Sequence, residues 1–379
     1  PITEQSRARI SIMSLTDLVH ELRTNPDFLR YVAAWRRFPP RPARYADFPA
    51  ELDPRLVASL RARGIERLYS HQAEAVSAVL RGQHVAIVTP TASGKTLCYN
   101  LPVLHTLLNQ PDARALYLFP TKALAQDQLA ELHTLAQSLV PAAIGHQPFA
   151  TYDGDTPQKE RARIRRSARL LITNPDMLHT GILPHHTLWA DLFANLRYVV
   201  LDELHTYRGI FGSHVANVLR RLRRICQFHG SQPQFICCSA TIANPKEHAE
   251  RLLEVDVTLV DDDGSPRGEK HFLLYNPPLV DRELGIRRSY LLEARRIAGR
   301  LLDADVQTIV FARARMTVEV LLTYLRDWME KAKGKDQREK VRGYRGGYLP
   351  RLRREIERGL REGTVRGVVA TNALELGID

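Results

Sequence analysis

Cysteine is scarce in this chain: four occur in 379 residues, at Cys98, Cys226, Cys237 and Cys238, and no two form a C-x-x-C pair. That spacing excludes a zinc ribbon or finger built from these residues and leaves no disulfide framework, as expected of a reducing interior. No run of about 18 apolar residues is present, so no membrane span is expected. The first twelve residues are polar and charged and lack the apolar centre of a signal peptide. A cytoplasmic location is the resulting expectation. Acidic residues are in deficit, 42 against 54 Lys and Arg, which leaves a net charge of +12. A basic excess favours polyanionic partners, nucleic acid first and an anionic membrane surface second. The apolar fraction of 44% allows sizeable cores, and the length suits two or three domains. No repeat at solenoid periods is visible.

What is present is a patterned alternation. Residues 14–35 show helical spacing through Leu15, Leu18, Val19, Leu22, Phe28, Leu29 and Val32, with Ser14 as N-cap and Asp17 in the first turn. The proline-rich stretch 38–42 reads as an irregular arm. Helical spacing returns over 54–63 and 70–80. Short apolar runs at 85–88, 115–119, 149–152, 170–173, 198–201 and 235–238 then alternate with helical stretches at 95–108, 122–139, 156–167 and 213–228. That pattern predicts a parallel sheet covered on both faces. The turn-rich stretch 260–278 reads as the start of an interdomain connection. A second alternation has helices over 289–303, 316–331 and 349–362 and strands over 307–311 and 365–371, with charged residues 333–342 as a mobile loop. The second half is expected to be incomplete at Asp379.

The chemistry concentrates at two places. After strand 85–88 comes Thr89-Pro90-Thr91-Ala92-Ser93-Gly94-Lys95-Thr96, followed by a helix. The backbone N–H groups of such a loop, with the helix N-terminus behind them, favour phosphate. Gly94 lets the backbone approach closely, Lys95 reaches the β- and γ-phosphates, and Thr96 places a hydroxyl on magnesium. Thr89 replaces the first glycine of the usual pattern, so only the Gly-Lys-Thr core matches strictly. Further along, strand 198–201 ends in Asp202-Glu203-Leu204-His205. Carboxylates at the carboxyl end of a parallel strand sit where ligands bind. Asp202 is expected to hold Mg2+ largely through water, and Glu203 to polarise the attacking water. ATP and Mg2+ are therefore the expected ligands.

With these motifs in order, the chain resembles superfamily 2 helicases of the DEAD/DEAH type, from Tyr69 to its end. Leu68-Tyr69-Ser70-His71-Gln72 is similar to the Q motif, which implies that Gln72 reads the adenine edge. Residues 89–96 are similar to motif I and residues 202–205 to motif II. Pro120-Thr121-Lys122-Ala123-Leu124 resembles motif Ia, Thr173-Asn174-Pro175-Asp176 motif Ib, and Ser239-Ala240-Thr241 motif III. Ile309-Val310-Phe311 with Arg313 resembles motif IV, and Thr371 to Asp379 motif V. A closer resemblance, to the MrfA/YprA branch of bacterial DNA-repair helicases, rests on the continuation of 202–209 into 211–216, on Asp263-Gly264-Ser265-Pro266-Arg267-Gly268-Glu269-Lys270, and on Tyr344-Arg345-Gly346-Gly347-Tyr348-Leu349-Pro350.

The resemblance implies an α/β fold of two tandem RecA-like parallel-sheet domains, the second incomplete, behind a helical N-terminal arm. The expected borders are 1–60 for the arm, 61–262 for the ATP-binding domain, 263–284 for the connection and 285–379 for the second domain. It implies an ATP-dependent DNA helicase or translocase of 3′-to-5′ polarity acting in DNA repair, on single-stranded or tailed duplex DNA. It also implies a location on the nucleoid when DNA is bound. An RNA helicase and an ATP-gated nucleic-acid clamp without turnover remain open alternatives. ATP would touch Gln72, Thr91, Ala92, Ser93, Gly94, Lys95 and Thr96, with Gly377 and Asp379 near the ribose. Pro120, Thr121, Lys122, Asp153, Gly154, Thr173, Asn174, Phe311, Arg313 and Thr371 would track the nucleic-acid backbone, since translocation ignores sequence and favours phosphate contacts. His205 would couple ATP to motif III through Ser239, Ala240 and Thr241. The segment with the motif VI arginine lies past Asp379, so this chain alone is expected to bind ATP and hydrolyse it slowly. Of the two basic runs, 161–169 and 220–224, the second reads as the solvated face of a helix whose core face is Val215, Val218, Leu219, Leu222 and Ile225.

Overall fold

Each apolar run of the first alternation becomes a buried strand in the computed structural model, which describes residues 14–136 and 148–374. Contacts divide the chain into two units, and residues 40–268 form the larger. Its strands are β1 (Val85–Val88), β2 (Arg114–Leu118), β3 (Phe149–Thr151), β4 (Leu170–Thr173), β5 (Leu196–Leu201), β6 (Gln234–Ser239) and β7 (Thr258–Val260). They pair in the order β7-β1-β6-β5-β2-β4-β3, every pair parallel. Helices α1 (Ser70–Leu80), α2 (Lys95–Asn109) and α3 (Lys122–Ala136) cover one face, where Leu101, Leu104 and Leu132 pack on Ile87, Tyr117 and Val200. The helix α4 (Gly209–Phe228) and the stretch 178–194 cover the other, with Leu219 and Leu222 against Val199 and Phe235. Alternate residues of one strand thus serve different cores, as a sheet buried on both faces requires.

The smaller unit holds the described residues before position 40 and those from 269 onward. Strands β8 (Thr308–Phe311), β9 (Val341–Tyr344) and β10 (Gly367–Ala370) pair in parallel in the order β8-β10-β9. Two expectations fail here. The helical reading of 14–35 holds for Leu15–Thr24, where Ser14 and Asp17 form a capping box, and for Pro26–Leu29. It fails for Val32–Phe38, which is a strand paired antiparallel to Lys270–Tyr275. Charged residues 333–342 are not a free loop either. Lys335–Lys340 form a 3-10 turn whose Arg338 reaches Asp327 at 2.8 Å and Glu330 at 2.7 Å, and β9 begins at Val341.

Candidate functional site

Strand order decides which loops meet. In a parallel sheet all strands point the same way, so the turns at their carboxyl ends line one edge. The loops after β1, β6 and β5 hold 89–96, 240–241 and 202–205, and these three strands are neighbours. The loops after β2, β4 and β3 hold 120–122, 174 and 153–154, and they continue the same edge. The segments expected to bind phosphate thus occupy one half of the edge and those expected to track nucleic acid the other.

The phosphate loop is a tight turn of backbone. Ala92 has φ 59° and Gly94 φ 77°, and a Cβ at Gly94 would stand 2.5 Å from Gln72 Nε2, so only glycine fits without displacing that amide. Thr89 and Ser93 hydroxyls lie 2.6 Å apart beneath the loop. Lys95 Nζ donates to the carbonyls of Thr89 at 3.0 Å and Pro90 at 2.8 Å, holding an ammonium against the turn. Gln72 is buried and accepts from Tyr69 N at 2.9 Å while donating to Gly94 O at 2.9 Å. Thr91 is exposed at the loop tip and Thr96 half-buried in the first turn of α2.

Asp202 follows β5. Its Oδ1 accepts from Glu203 N at 2.8 Å and its Oδ2 from Tyr99 Oη at 3.2 Å. Burial, together with the neighbouring Glu203 charge, pushes this carboxyl up to about 7, and Lys95 opposes the shift. A carboxylate so destabilised as an anion, with a threonine hydroxyl at the start of the facing helix, suits a hard divalent cation that keeps its waters. No group of three or more His, Cys, Asp or Glu gathers among the described residues. Glu203 has φ 53°, an uncommon backbone for a non-glycine residue, and strain of this kind concentrates at functional sites. Its Oε2 lies 3.3 Å from His205 Nδ1, which in turn lies 3.4 Å from Ser239 Oγ. The expected link from 202–205 to 239 is therefore in place, whereas Thr241 is exposed beyond it.

The residues of the second half of the edge are held by local bonds. Lys122 Nζ pairs with Asp155 at 2.7 Å, and a Cβ on Gly154 would meet that nitrogen only at the ordinary contact distance of 3.7 Å. Asn174 caps the turn Pro175–Met177 through Met177 N at 2.8 Å. Asp153 is buried and accepts from Asp155 N at 2.7 Å. Thr173 is buried, its hydroxyl donating to Tyr152 O at 2.6 Å. Pro120 and Thr121 stand at the turn into α3. In the smaller unit Phe311, the last residue of β8, and Arg313 beyond it are exposed, and Thr371 follows β10, the strand beside β8. Gly377 and Asp379 lie outside the described residues.

Sequence reasoning missed Tyr99 and Gln128, whose side chains bond at 3.0 Å and brace Asp202. The only signal was Tyr99 lying four residues after Lys95, on the same face of α2. A groove of about 1510 Å³ runs along α4, away from the phosphate loop, lined by Arg197, Arg221 and Arg224 among others. Arg220 bonds to Glu254 at 2.8 Å and Arg223 to Leu253 O at 3.0 Å, so half of that arginine run braces the fold.

The sequence profile of the DEAD/DEAH box helicase family matches residues 69–248. The chain is 54% identical, over 97% of its length, to the ATP-dependent helicase YprA of Bacillus subtilis, of which it covers 47%. It is 40% identical, again over 97% of its length, to the ATP-dependent helicase HRQ1 of Saccharomyces cerevisiae, of which it covers 34%. The crystal structure of the DUF1998 helicase MrfA bound to DNA and AMPPNP superposes with a TM-score of 0.90 at 54% identity, covering 97% of this chain and 50% of that one. The chain therefore spans half or less of the length of each of these three relatives.

Proposed function

We propose that the chain is the motor portion of an ATP-dependent DNA helicase of the DEAD/DEAH box family, on the MrfA/YprA branch, from its similarity to those helicases and from the order of its strands. The observation that supports this most is the shared carboxyl edge, with the phosphate loop, acid pair and motif III on β1, β5 and β6 and the tracking loops on β2, β4 and β3. In the proposed cycle the loop 89–96 binds the triphosphate of ATP, and Lys95 leaves the Thr89 and Pro90 carbonyls for phosphate oxygens. Gln72 offers its amide to the adenine edge. Asp202 and Thr96 would hold Mg2+, which when bound neutralises developing phosphate charge. Glu203 orients and polarises water, and His205 relays its position to Ser239. Pro120, Thr121, Lys122, Gly154, Asn174, Arg313 and Thr371 bind the sugar-phosphate backbone without reading bases. A 3′-to-5′ direction, a role in DNA repair, a cytoplasmic location and the domain borders given above belong to the same reading.

Turnover of ATP with and without single-stranded DNA tests it, in the full-length protein. DNA should stimulate turnover at least tenfold, and Lys95→Ala and Glu203→Gln should each reduce it by roughly a hundredfold or more. Equal stimulation by RNA of the same length would move the assignment to an RNA helicase. Tight ATP and DNA binding without any turnover would make it a clamp.

A further inference from the structure

A single buried hydroxyl stands between the two halves of the carboxyl edge. Tyr99 lies on α2 and is fully buried. Its ring packs in the core, edge-on to Tyr117 with the centroids 5.5 Å apart. A phenylalanine would fill the same space and keep that ring contact. What the tyrosine adds is one O–H held at a fixed point. Two acceptors reach that point: Gln128 Oε1 on α3 at 3.0 Å, and Asp202 Oδ2 after β5 at 3.2 Å. A phenol carries one proton at neutral pH, so it serves one acceptor well and leaves the other with a weak share.

Neither acceptor depends on that proton. Asp202 also accepts from Glu203 N at 2.8 Å through its other oxygen. Gln128 is half-buried, so its amide can turn to solvent when the hydroxyl points elsewhere. A permanent brace needs one acceptor. Two acceptors of different charge, each with another recourse, make a two-position contact whose balance follows what else Asp202 binds. Their places give this contact its reach. Asp202 belongs to the acid pair of the ATP half. Gln128 sits in the second turn of the helix that opens at Lys122, about 9 Å farther along its axis. The same helix is tied to the end of β3 by Gln126 Nε2 donating to Thr151 Oγ1 at 3.3 Å, and to the turn beyond by the 2.7 Å pair of Lys122 with Asp155. A helix moves as one piece, so a grip at Gln128 is felt at Thr121 and Lys122.

We propose that Tyr99 is a positioning residue that couples nucleotide to DNA: its hydroxyl shares one proton between Asp202 and Gln128, so that what Asp202 holds sets the grip on the helix carrying Lys122. This rests on the reading of Asp202 as part of an ATP site and of Thr121 and Lys122 as DNA contacts. An Asp202 oxygen engaged elsewhere is a poorer acceptor. The proton then goes to Gln128 and α3 is fixed, so nucleotide and DNA favour one another.

Equilibrium binding tests this without turnover. The affinity of fluorescein-labelled oligothymidylate for the full-length protein is measured with and without AMPPNP and Mg2+, and that of AMPPNP with and without DNA. The ratio is the coupling factor, expected at about five or more in the unsubstituted protein. Tyr99→Phe, which keeps the ring, should bring the factor within about twofold of one, while each affinity measured alone changes by less than about threefold. Gln128→Leu removes the second acceptor from a half-buried position and should do the same. The double variant should lose no more than either single one, because both break one contact. A merely structural contact would instead lower the separate affinities along with thermal stability and spare the factor, and that result overturns the proposal. So does full coupling in Gln128→Leu, which would show that Tyr99 serves Asp202 alone, and so do losses that add in the double variant. A factor of one in the unsubstituted protein leaves nothing for Tyr99 to carry and overturns it as well. Absence of AMPPNP or DNA binding overturns the helicase reading itself, a failure seen before any coupling is measured.

Discussion

Asp202 and Asp263 are both shielded carboxylates, and their surroundings treat them oppositely. Asp202 receives one N–H and one phenol, while burial and Glu203 raise its carboxyl to about 7. Asp263 is also pushed upward by burial, but the bonds from Ser265 and Arg267 prevail and hold it at about 2. The signs of their stability effects follow. A raised carboxyl costs folding free energy above its unfolded value near 3.8, and the cost is complete above about 7. Asp202→Asn should therefore stabilise the protein at pH 8, without nucleotide or divalent ions, by about 1–3 kcal/mol, and confer no gain at pH 4. Denaturant titration at both pH values checks this, and equal midpoints at pH 8 would show that the carboxylate is not strained. A depressed carboxyl contributes stability above 3.8 that is lost as pH falls through about 2. Asp263→Asn should cost about 2 kcal/mol at pH 7, and the gap between variant and parent should close between pH 4 and pH 2.

At the scale of elements, α4 shows why charge runs mislead and apolar spacing does not. Leu222 is fully buried while Arg224 is exposed on the same helix. Leu222→Ala should cost about 2–5 kcal/mol, and Arg224→Ala should stay within about 0.5 kcal/mol, as measured by denaturant midpoints. A large effect at Arg224 would contradict its reading as a solvated face. The strands β1, β4, β5 and β6 were legible because each is a short apolar run between turn signals. Val32–Phe38 was not, because Leu29, Val32 and Trp35 also satisfy helical spacing, and its partner Lys270–Tyr275 lies far off in sequence. The seventh strand, Thr258–Val260, was too short to separate from the connection that follows it. Within the site, residues 89–96 and 202–205 could be read from local chemistry. The contacts of Tyr99 with Gln128 and Asp202, and of Asp263 with Arg41, could not, since each depends on which distant side chain lies opposite.

For the whole molecule the question is how two ligands on one sheet edge sense one another. The loops proposed for ATP end at β5 and those proposed for DNA begin at β2, and β5 and β2 pair directly along Leu116↔Val199, Tyr117↔Val200 and Leu118↔Leu201. Asp202 N also donates to Leu118 O at 3.1 Å, so the acid pair hangs from the strand that leads into Thr121 and Lys122. Coupling through such a contact is an equilibrium property and must be reciprocal. If single-stranded DNA tightens binding of a non-hydrolysable ATP analogue by some factor, the analogue must tighten DNA by the same factor. Lys122→Ala should weaken DNA at every sequence and lower the salt slope of log K by about one, while leaving analogue affinity without DNA within about twofold. Glu203→Gln should keep both affinities and the coupling factor while stopping turnover. Titrations of each ligand at saturating and zero concentrations of the other measure all four constants. Unequal factors would mean that one probe reports something other than binding. A factor of one in both directions would mean that the shared edge places the two sites side by side without linking them, and that coupling needs residues beyond this chain.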